Sequence, residues 1–198
     1  MTVKEKLNLY FKLIENQFNY GGEKYAVGYS DKEATDILCE SHGYRGLFWV
    51  MNKYVIRFRN KHLEKDLLKI GCFCYILWLK RGFHIISSGI DSPILSTNLE
   101  VKKNNFIKFQ QFIEYQNRDL LNISSDIKDD DISDDEYLNT VEESLKRCST
   151  QTNWENIGSY SVDIIFINVF HVWQRNFANN KEHNEDIGNQ TNEKNRKN

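Results

Sequence analysis

The sequence has little proline, and its few cysteines follow no metal-binding pattern. Pro93 is the single proline among 198 residues, so proline interrupts a helix at very few positions. The cysteines are Cys39, Cys72, Cys74 and Cys148. A zinc site would need Cys39 and His42 together with the Cys72–Cys74 pair, and a one-residue gap is poor for tetrahedral chelation. Reduced, mostly buried thiols are therefore the preferred interpretation.

The sequence also lacks a long apolar run and a phosphate-binding loop of the Gly-Lys-Ser/Thr type. The longest apolar run, IGCFCYILWL at residues 70–79, is too short to cross a bilayer, which takes about 20 residues. The stretch MTVKEKLNLYFKLIENQF alternates charged with apolar side chains, unlike a signal peptide. We therefore expect a cytoplasmic protein without a membrane partner. The missing loop excludes P-loop kinases.

Charge is strongly segregated although the whole chain is almost neutral, with a formal charge of -2. Residues 43–84 hold nine Lys and Arg against two acids, whereas residues 121–145 hold nine acids against Lys128 alone. Such segregation indicates either a charged partner or mutual shielding of the two regions.

Helical periodicity runs through most of the chain. In the first segment, the apolar positions are Val3, Leu7, Tyr10, Phe11, Ile14 and Phe18, which predicts a helix that ends at Gly21-Gly22. Ser30 and Glu33 form a capping-box signature, so a short second helix is predicted from about residue 31.

A helical hairpin is predicted between Gly46 and Gly82. The core-facing residues of its first arm are Leu47, Phe48, Met51, Tyr54, Val55 and Phe58. After a break near residues 60–62, the second arm repeats Leu63, Leu67, Ile70, Cys74 and Leu77 at steps of four and three. Lys80, Arg81 and Gly82 predict the end of that arm. Because residues 70–79 are apolar nearly all round, this arm should lie at the centre of the core.

The remaining segments complete a mainly α-helical fold. Residues 83–101 are predicted as a connection, and Phe106, Phe109, Phe112 and Ile113 predict a further helix. An acidic linker is expected over about 124–136, followed by a helix over 137–147. Residues 159–177 are rich in β-branched side chains, but their length favours a helix over a strand. We predict one small helical domain, residues 1–177, built around the central hairpin, and a disordered polar tail, residues 178–198.

The basic residues of the hairpin point to a binding function. Lys53 and Arg57 are four residues apart and share a helix face, beside Trp49 and Ile56. Cations next to an aromatic ring suit a nucleotide, because Arg can grip a phosphate with two hydrogen bonds and Trp can stack on a base. On the second arm, Asp66 lies near Lys65 and Lys69. It could orient one of these cations or hold a magnesium ion that bridges phosphate oxygens. A merely solvated basic face is the alternative.

The segment YRGLFWVMNKYVIRFRNKHLEKDLLKIGCFCYILWL resembles the core of a phage-type family that includes small nucleotide kinases without a P-loop. The matching positions are Gly46, Asn52, Lys53, Tyr54, Arg57, Lys61, Asp66, Leu67, Lys69 and Tyr75. The match covers about 35 of 198 residues. Met51 stands where that family commonly has glycine, and RFRNK replaces a glycine-containing turn.

This resemblance implies phosphoryl transfer from ATP to a deoxynucleoside monophosphate. Lys53, Arg57 and Lys61 would then bind phosphates, and Asn52 would bind sugar or base. The stacking of Trp49 on the base is predicted from its place on the helix face alone and is not part of the resemblance. The resemblance implies catalytic roles for Asp66 and Lys69, with Asp66 as a Mg²⁺ ligand or as the group that orients a cation.

Two other functions stay open. All-helical nucleotide pyrophosphohydrolases chelate magnesium with pairs of acids one turn apart; Glu33 and Asp36 fit one pair, but Asp163 has Tyr160 where a second Glu is needed. Alternatively, the basic hairpin binds nucleic acid or an acidic protein without catalysis. The sequence does not determine the oligomeric state.

Overall fold

Helices make up most of the chain that the structure describes. The computed structural model describes residues 1–26, 44–86, 99–118, 132–150 and 159–178. Its helices are α1 (Val3–Ala26), α2 (Tyr44–Lys61), α3 (Glu64–Ile86), α4 (Leu99–Gln116), α5 (Asp134–Thr150) and α6 (Ser159–Trp173), which continues into a π-helical turn, Gln174–Ala178. These ranges contain no strand. The predicted mainly α fold is confirmed, and so is the helical form of residues 159–177.

Other sequence predictions fall partly or wholly outside the described residues. The short helix predicted near residue 31 and most of the acidic linker lie outside the described residues. So does the tail predicted over 178–198, apart from Ala178, which is buried in the π-helical turn. Cys39 and His42, the first two ligands of the zinc alternative, also lie outside the described residues.

The central hairpin is formed by α2 and α3, which are joined by only two residues, His62 and Leu63. His62 has a φ of 48°, in the left-handed region that non-glycine residues seldom adopt. Its N–H still bonds to the carbonyl of Phe58 at 2.8 Å, so it closes the last turn of α2. The predicted break near residues 60–62 is confirmed, and a histidine forms the turn where glycine is usual.

Two helices run past the glycines predicted to end them. Helix α1 continues through Gly21-Gly22 to Ala26, and α3 continues through Gly82 to Ile86. Both predicted ends are wrong. Glycine costs about 1 kcal/mol in a helix interior relative to alanine, and it ends a helix only where the backbone turns left-handed.

Helix α5 begins inside the segment predicted as acidic linker. Its first turn is Asp134, Asp135 and Glu136, so the linker prediction is too long by these three residues. The cause is a capping box. The N–H of Glu136 donates to Ser133 Oγ at 3.2 Å, and the N–H of Ser133 donates to Glu136 Oε2 at 2.7 Å. These hydrogen bonds lower the pKa of Glu136, and acids in a first turn also interact favourably with the helix dipole.

Helix α3 lies at the centre of the domain, in contact with α1, α2, α4 and α6, while α5 packs on α2 and α6. Buried aromatic rings make many of the contacts between these helices. Tyr10 of α1 lies 4.9 Å from Trp173, Phe11 lies 5.0 Å from Phe166, and Tyr75 of α3 lies 5.0 Å from Phe106, all between ring centroids. The predicted central position of residues 70–79 is confirmed. Within the described ranges, no helix has the combined length and apolarity needed to cross a membrane.

Helices α1 and α3 approach closely at Gly71. A Cβ atom built on Gly71 would lie 2.5 Å from Ile14 Cδ1 and 3.2 Å from the Tyr10 hydroxyl. Hydrogen bonds link the helices on either side, because the Tyr10 hydroxyl donates to the Leu67 carbonyl at 3.1 Å and Cys72 Sγ donates to the Ile14 carbonyl at 3.5 Å. This contact therefore depends on the absence of a side chain at residue 71.

We expect the domain to lose stability as the pH rises above about 9. Burial raises the pKa of the Cys72 thiol to about 12, although Lys69 acts in the opposite direction, and burial also raises the pKa values of Cys74 and Tyr10. A group whose pKa is raised by folding stabilises the fold below its unfolded pKa and loses that contribution at higher pH. Urea unfolding at pH 8 and pH 10 should show the decrease. A free energy of unfolding that stays constant or rises over this interval would contradict it.

Candidate functional site

Three cations of the hairpin converge on one ring, that of Tyr54. Lys53 Nζ lies 5.3 Å from the ring centroid, the Arg57 guanidinium carbon lies 5.6 Å from it, and Lys69 Nζ lies 5.0 Å from it. Lys69 also donates a long hydrogen bond, 3.5 Å, to the Tyr54 hydroxyl. Two arms of the hairpin thus supply one cluster, which we call the cation cluster: Lys53, Tyr54, Arg57 and Lys69 with the neighbouring Asp66.

Asp66 is the buried anion of this cluster. It lies in the first turn of α3, its side chain is fully buried, and Arg57 Nη2 is 3.3 Å from its Oδ1. Neither carboxylate oxygen of Asp66 has a hydrogen bond of normal geometry, so ionic attraction and the positive end of the α3 dipole stabilise the charge. The Arg57 side chain is 35% exposed, and Asp66 therefore orients a guanidinium that still reaches solvent.

The cluster has an excess of positive charge. Its three cations and one carboxylate leave a net formal charge of two positive within one small patch. The tyrosine ring offsets part of the repulsion, because a cation over its face gains roughly 0.5–1 kcal/mol at an exposed site. A doubly charged phosphate group would neutralise the remainder and would accept hydrogen bonds from the guanidinium and both ammonium groups.

Asp66 fits the role of orienting group better than that of a magnesium ligand. Mg²⁺ takes six oxygen ligands in near-octahedral geometry, whereas Asp66 is enclosed and faces a guanidinium. Across the described ranges, no group of three His, Cys, Asp or Glu side chains is placed to share a metal ion. A magnesium site on Asp66 therefore remains a prediction from the sequence.

The other predicted binding residues lie elsewhere. Trp49 and Asn52 line a groove of about 610 Å³ between α2 and α5, and the Trp49 side chain is 80% exposed. Lys61 is exposed at the last position of α2 and belongs neither to the cation cluster nor to the groove lining. Apart from Lys61, the residues predicted for one nucleotide site therefore lie at two neighbouring places along α2, the cation cluster and the α2–α5 groove.

Several residues of these two places were not predicted as functional. Tyr54 was assigned to the core face, yet it is only half-buried and lies at the centre of the cluster. The position of Tyr54 in the sequence, between Lys53 and Arg57, could have indicated that its ring lies beside both cations. Arg45, Lys146 and Ser149 line the groove. The last two come from α5, nearly 100 residues along the chain from Asn52, and no local pattern links them to α2.

One arginine ties α2 to α5 beyond the groove. Arg59 forms an ion pair with Asp135, donates to Asn139 Oδ1 at 2.8 Å and reaches Glu142 Oε2 at 3.5 Å. Glu142 also lines the groove. The acidic helix thus compensates one charge of the basic hairpin, which agrees in part with the mutual shielding expected from the segregated sequence.

The acidic pairs of a pyrophosphohydrolase receive no support from these positions. Glu33 and Asp36 lie outside the described residues, and Asp163 is buried in α6.

Comparisons with protein-family models, with curated proteins and with solved structures find no match to this chain.

Proposed function

We propose that this protein binds a nucleotide and that the cation cluster holds its phosphates. One observation carries the proposal: Lys53, Arg57 and Lys69 come from two helices and meet around Tyr54 with a net positive charge. Three positive charges placed around one ring repel one another. This repulsion lowers the stability of the fold, and a bound phosphate group would offset it.

Phosphoryl transfer from ATP to a deoxynucleoside monophosphate is the proposed reaction. It is supported by the resemblance of the hairpin to nucleotide kinases without a P-loop, since the residues of the cluster are among the matching positions. In this reaction Arg57 and Lys69 would neutralise charge on the transferred phosphoryl group, as cationic side chains do in other phosphoryl-transfer enzymes. Asp66 would hold the Arg57 guanidinium in place.

Binding and turnover test the two parts of this proposal separately. We expect ATP and at least one deoxynucleoside monophosphate to raise the melting temperature of the protein. Incubation of both with Mg²⁺ should yield a deoxynucleoside diphosphate, detected by chromatography. Binding without product would leave a nucleotide-binding protein and remove the kinase activity. No thermal shift with any nucleotide would refute the proposal as a whole.

Salt dependence distinguishes nucleotide binding from the alternative, a nucleic-acid-binding surface. Binding to a polyanion releases many counterions, so its affinity falls steeply with salt, whereas a mononucleotide neutralises few charges and its affinity falls much less. We expect ATP affinity to exceed that of a single-stranded oligonucleotide at 200 mM salt. The reverse order would favour the nucleic-acid function.

A further inference from the structure

The α2–α5 groove is the second feature that calls for a ligand. It is bordered on the α2 side by Arg45, Gly46, Phe48, Trp49 and Asn52 and on the α5 side by Glu142, Leu145, Lys146 and Ser149. Its volume of about 610 Å³ lies within the range of roughly 300–1,000 Å³ that is usual for small-molecule sites. Phe48 and Leu145 are buried at its floor, and polar groups surround the rim.

The chemistry of the lining suits a flat, polar aromatic ring. Trp49 offers a broad exposed face on which such a ring can stack. Asn52 carries both a donor and an acceptor on its amide. Ser149 already donates its hydroxyl proton to the Lys146 carbonyl at 2.8 Å, so its oxygen is left to accept a hydrogen bond from a ligand. Nucleobases combine a flat ring with donors and acceptors on its edge.

The groove and the cation cluster are connected along α2. Trp49, Lys53 and Arg57 follow one another at intervals of four residues, and side chains at this spacing form a continuous ridge on a helix. From Trp49 to Arg57 the helix rises about 12 Å. A nucleoside triphosphate can span such a length, with Lys53 midway between its base and its terminal phosphate.

We propose that the α2–α5 groove holds the base of the nucleotide whose phosphates lie at the cation cluster. This inference rests on the proposed function and extends it in two respects. It assigns the base of the nucleotide, for which the proposed function gives no place, to the groove between α2 and α5. It also assigns Ser149 and Lys146 of α5 to the wall that faces Trp49 across the ligand.

The experiment compares ligands that share phosphates and differ in the base. Inorganic tripolyphosphate is the matched probe for ATP, dGTP, dCTP and dTTP. We expect at least one nucleotide to bind about 10-fold more tightly than tripolyphosphate, in line with the usual contribution of one base stacked on an aromatic side chain. Trp49→Ala should remove this difference, because it deletes the stacking face and leaves the cations in place. Trp49→Phe should retain most of it.

A steric variant tests the α5 wall. Ser149→Trp should fill the groove and lower nucleotide affinity about 10-fold or more, while tripolyphosphate affinity stays the same. Thr150→Trp is the matched control, since Thr150 is the adjacent residue, is exposed and does not line the groove. It should leave both affinities unchanged.

The two proposals fail in different ways. If tripolyphosphate binds and Arg57→Ala weakens it, but no nucleotide binds more tightly than tripolyphosphate, the groove is not the base site and the phosphate site stands. If Ser149→Trp and Thr150→Trp have equal effects on nucleotide binding, the assignment of the α5 wall is wrong. If neither tripolyphosphate nor any nucleotide binds, the proposed function fails and the base site fails with it.

Discussion

Replacing Arg57 with alanine is expected to lower nucleotide affinity by about 10- to 100-fold. The change would remove the charge-assisted contact between the guanidinium and the phosphate, and one hydrogen bond to a charged group contributes roughly 1.5–3 kcal/mol. It should also destabilise the fold, because the fully buried Asp66 carboxylate loses the guanidinium that lies 3.3 Å away. We expect a loss of about 1–3 kcal/mol in the free energy of unfolding, less than for a fully enclosed ion pair, since Arg57 is partly exposed.

A second substitution separates the effect on binding from the effect on stability. Asp66→Asn in the Arg57→Ala background removes the uncompensated buried charge, so the double variant should regain most of the lost stability. Its nucleotide affinity should stay low, because the guanidinium is still missing. Isothermal titration and urea unfolding measure the two quantities independently. Recovery of binding in the double variant would show that Arg57 acts only by holding the fold.

Lys53→Ala is the matched control for the Arg57 variants. Lys53 is exposed and also contacts the Tyr54 ring, but it has no buried partner among the described ion pairs. Its replacement should weaken nucleotide binding by a smaller factor without changing the free energy of unfolding. Equal stability losses in the two variants would contradict the proposed role of Asp66.

Replacing Gly71 with valine is expected to have the largest effect on stability, a loss of about 3 kcal/mol or more. The first carbon of any side chain would lie 2.5 Å from Ile14 Cδ1, and Ile14 is fully buried. Overpacking of a closed core costs roughly 1–3 kcal/mol, and the branched side chain of valine adds two further methyl groups. A displacement of α1 away from α3 would also strain the hydrogen bond from the Tyr10 hydroxyl to the Leu67 carbonyl. The free energy of unfolding of native proteins is roughly 5–15 kcal/mol, so urea unfolding should detect the change readily.

A double-mutant cycle isolates the contact between Gly71 and Ile14. Gly71→Ala should be milder than valine, because alanine regains about 1 kcal/mol of helix propensity. Ile14→Val deletes the Cδ1 methyl that the new Cβ would meet. Gly71→Ala should therefore cost less in the Ile14→Val background than in the wild type. Additive effects would show that the cost of Gly71→Ala does not come from a clash with the Ile14 Cδ1 methyl group.

Much of the fold followed from the sequence because apolar spacing reports burial directly. The hairpin arms and the break between them were predicted, and so was the face of α2 that leaves Trp49 and Ile56 exposed. The wrong boundaries come from residues whose effect depends on tertiary contacts. Gly21-Gly22 and Gly82 only weaken a helix, so packing decides whether it continues. Ser133 and Glu136 reach back to one another and start α5 within an acidic run.

The candidate site was predictable only where it is local. Lys53 and Arg57 share a helix face by spacing alone, and the structure places both at Tyr54. The burial of Asp66 could have been predicted, because it lies three residues after Leu63 and one before Leu67 in the core-facing pattern. The α5 wall of the groove could not, because periodicity within one helix does not determine which distant helix packs beside it.

The short α2–α3 connection also affects the order in which the cation cluster and the α2–α5 groove form. Tyr54 and Lys69 are 15 residues apart, whereas Arg59 and its partners on α5 are separated by 76 to 83 residues. Chain-closure entropy grows with the length of the loop, by about 0.6 kcal/mol for each doubling. The cations around Tyr54 can therefore come together as soon as the hairpin forms, whereas the α2–α5 groove exists only after α5 has docked.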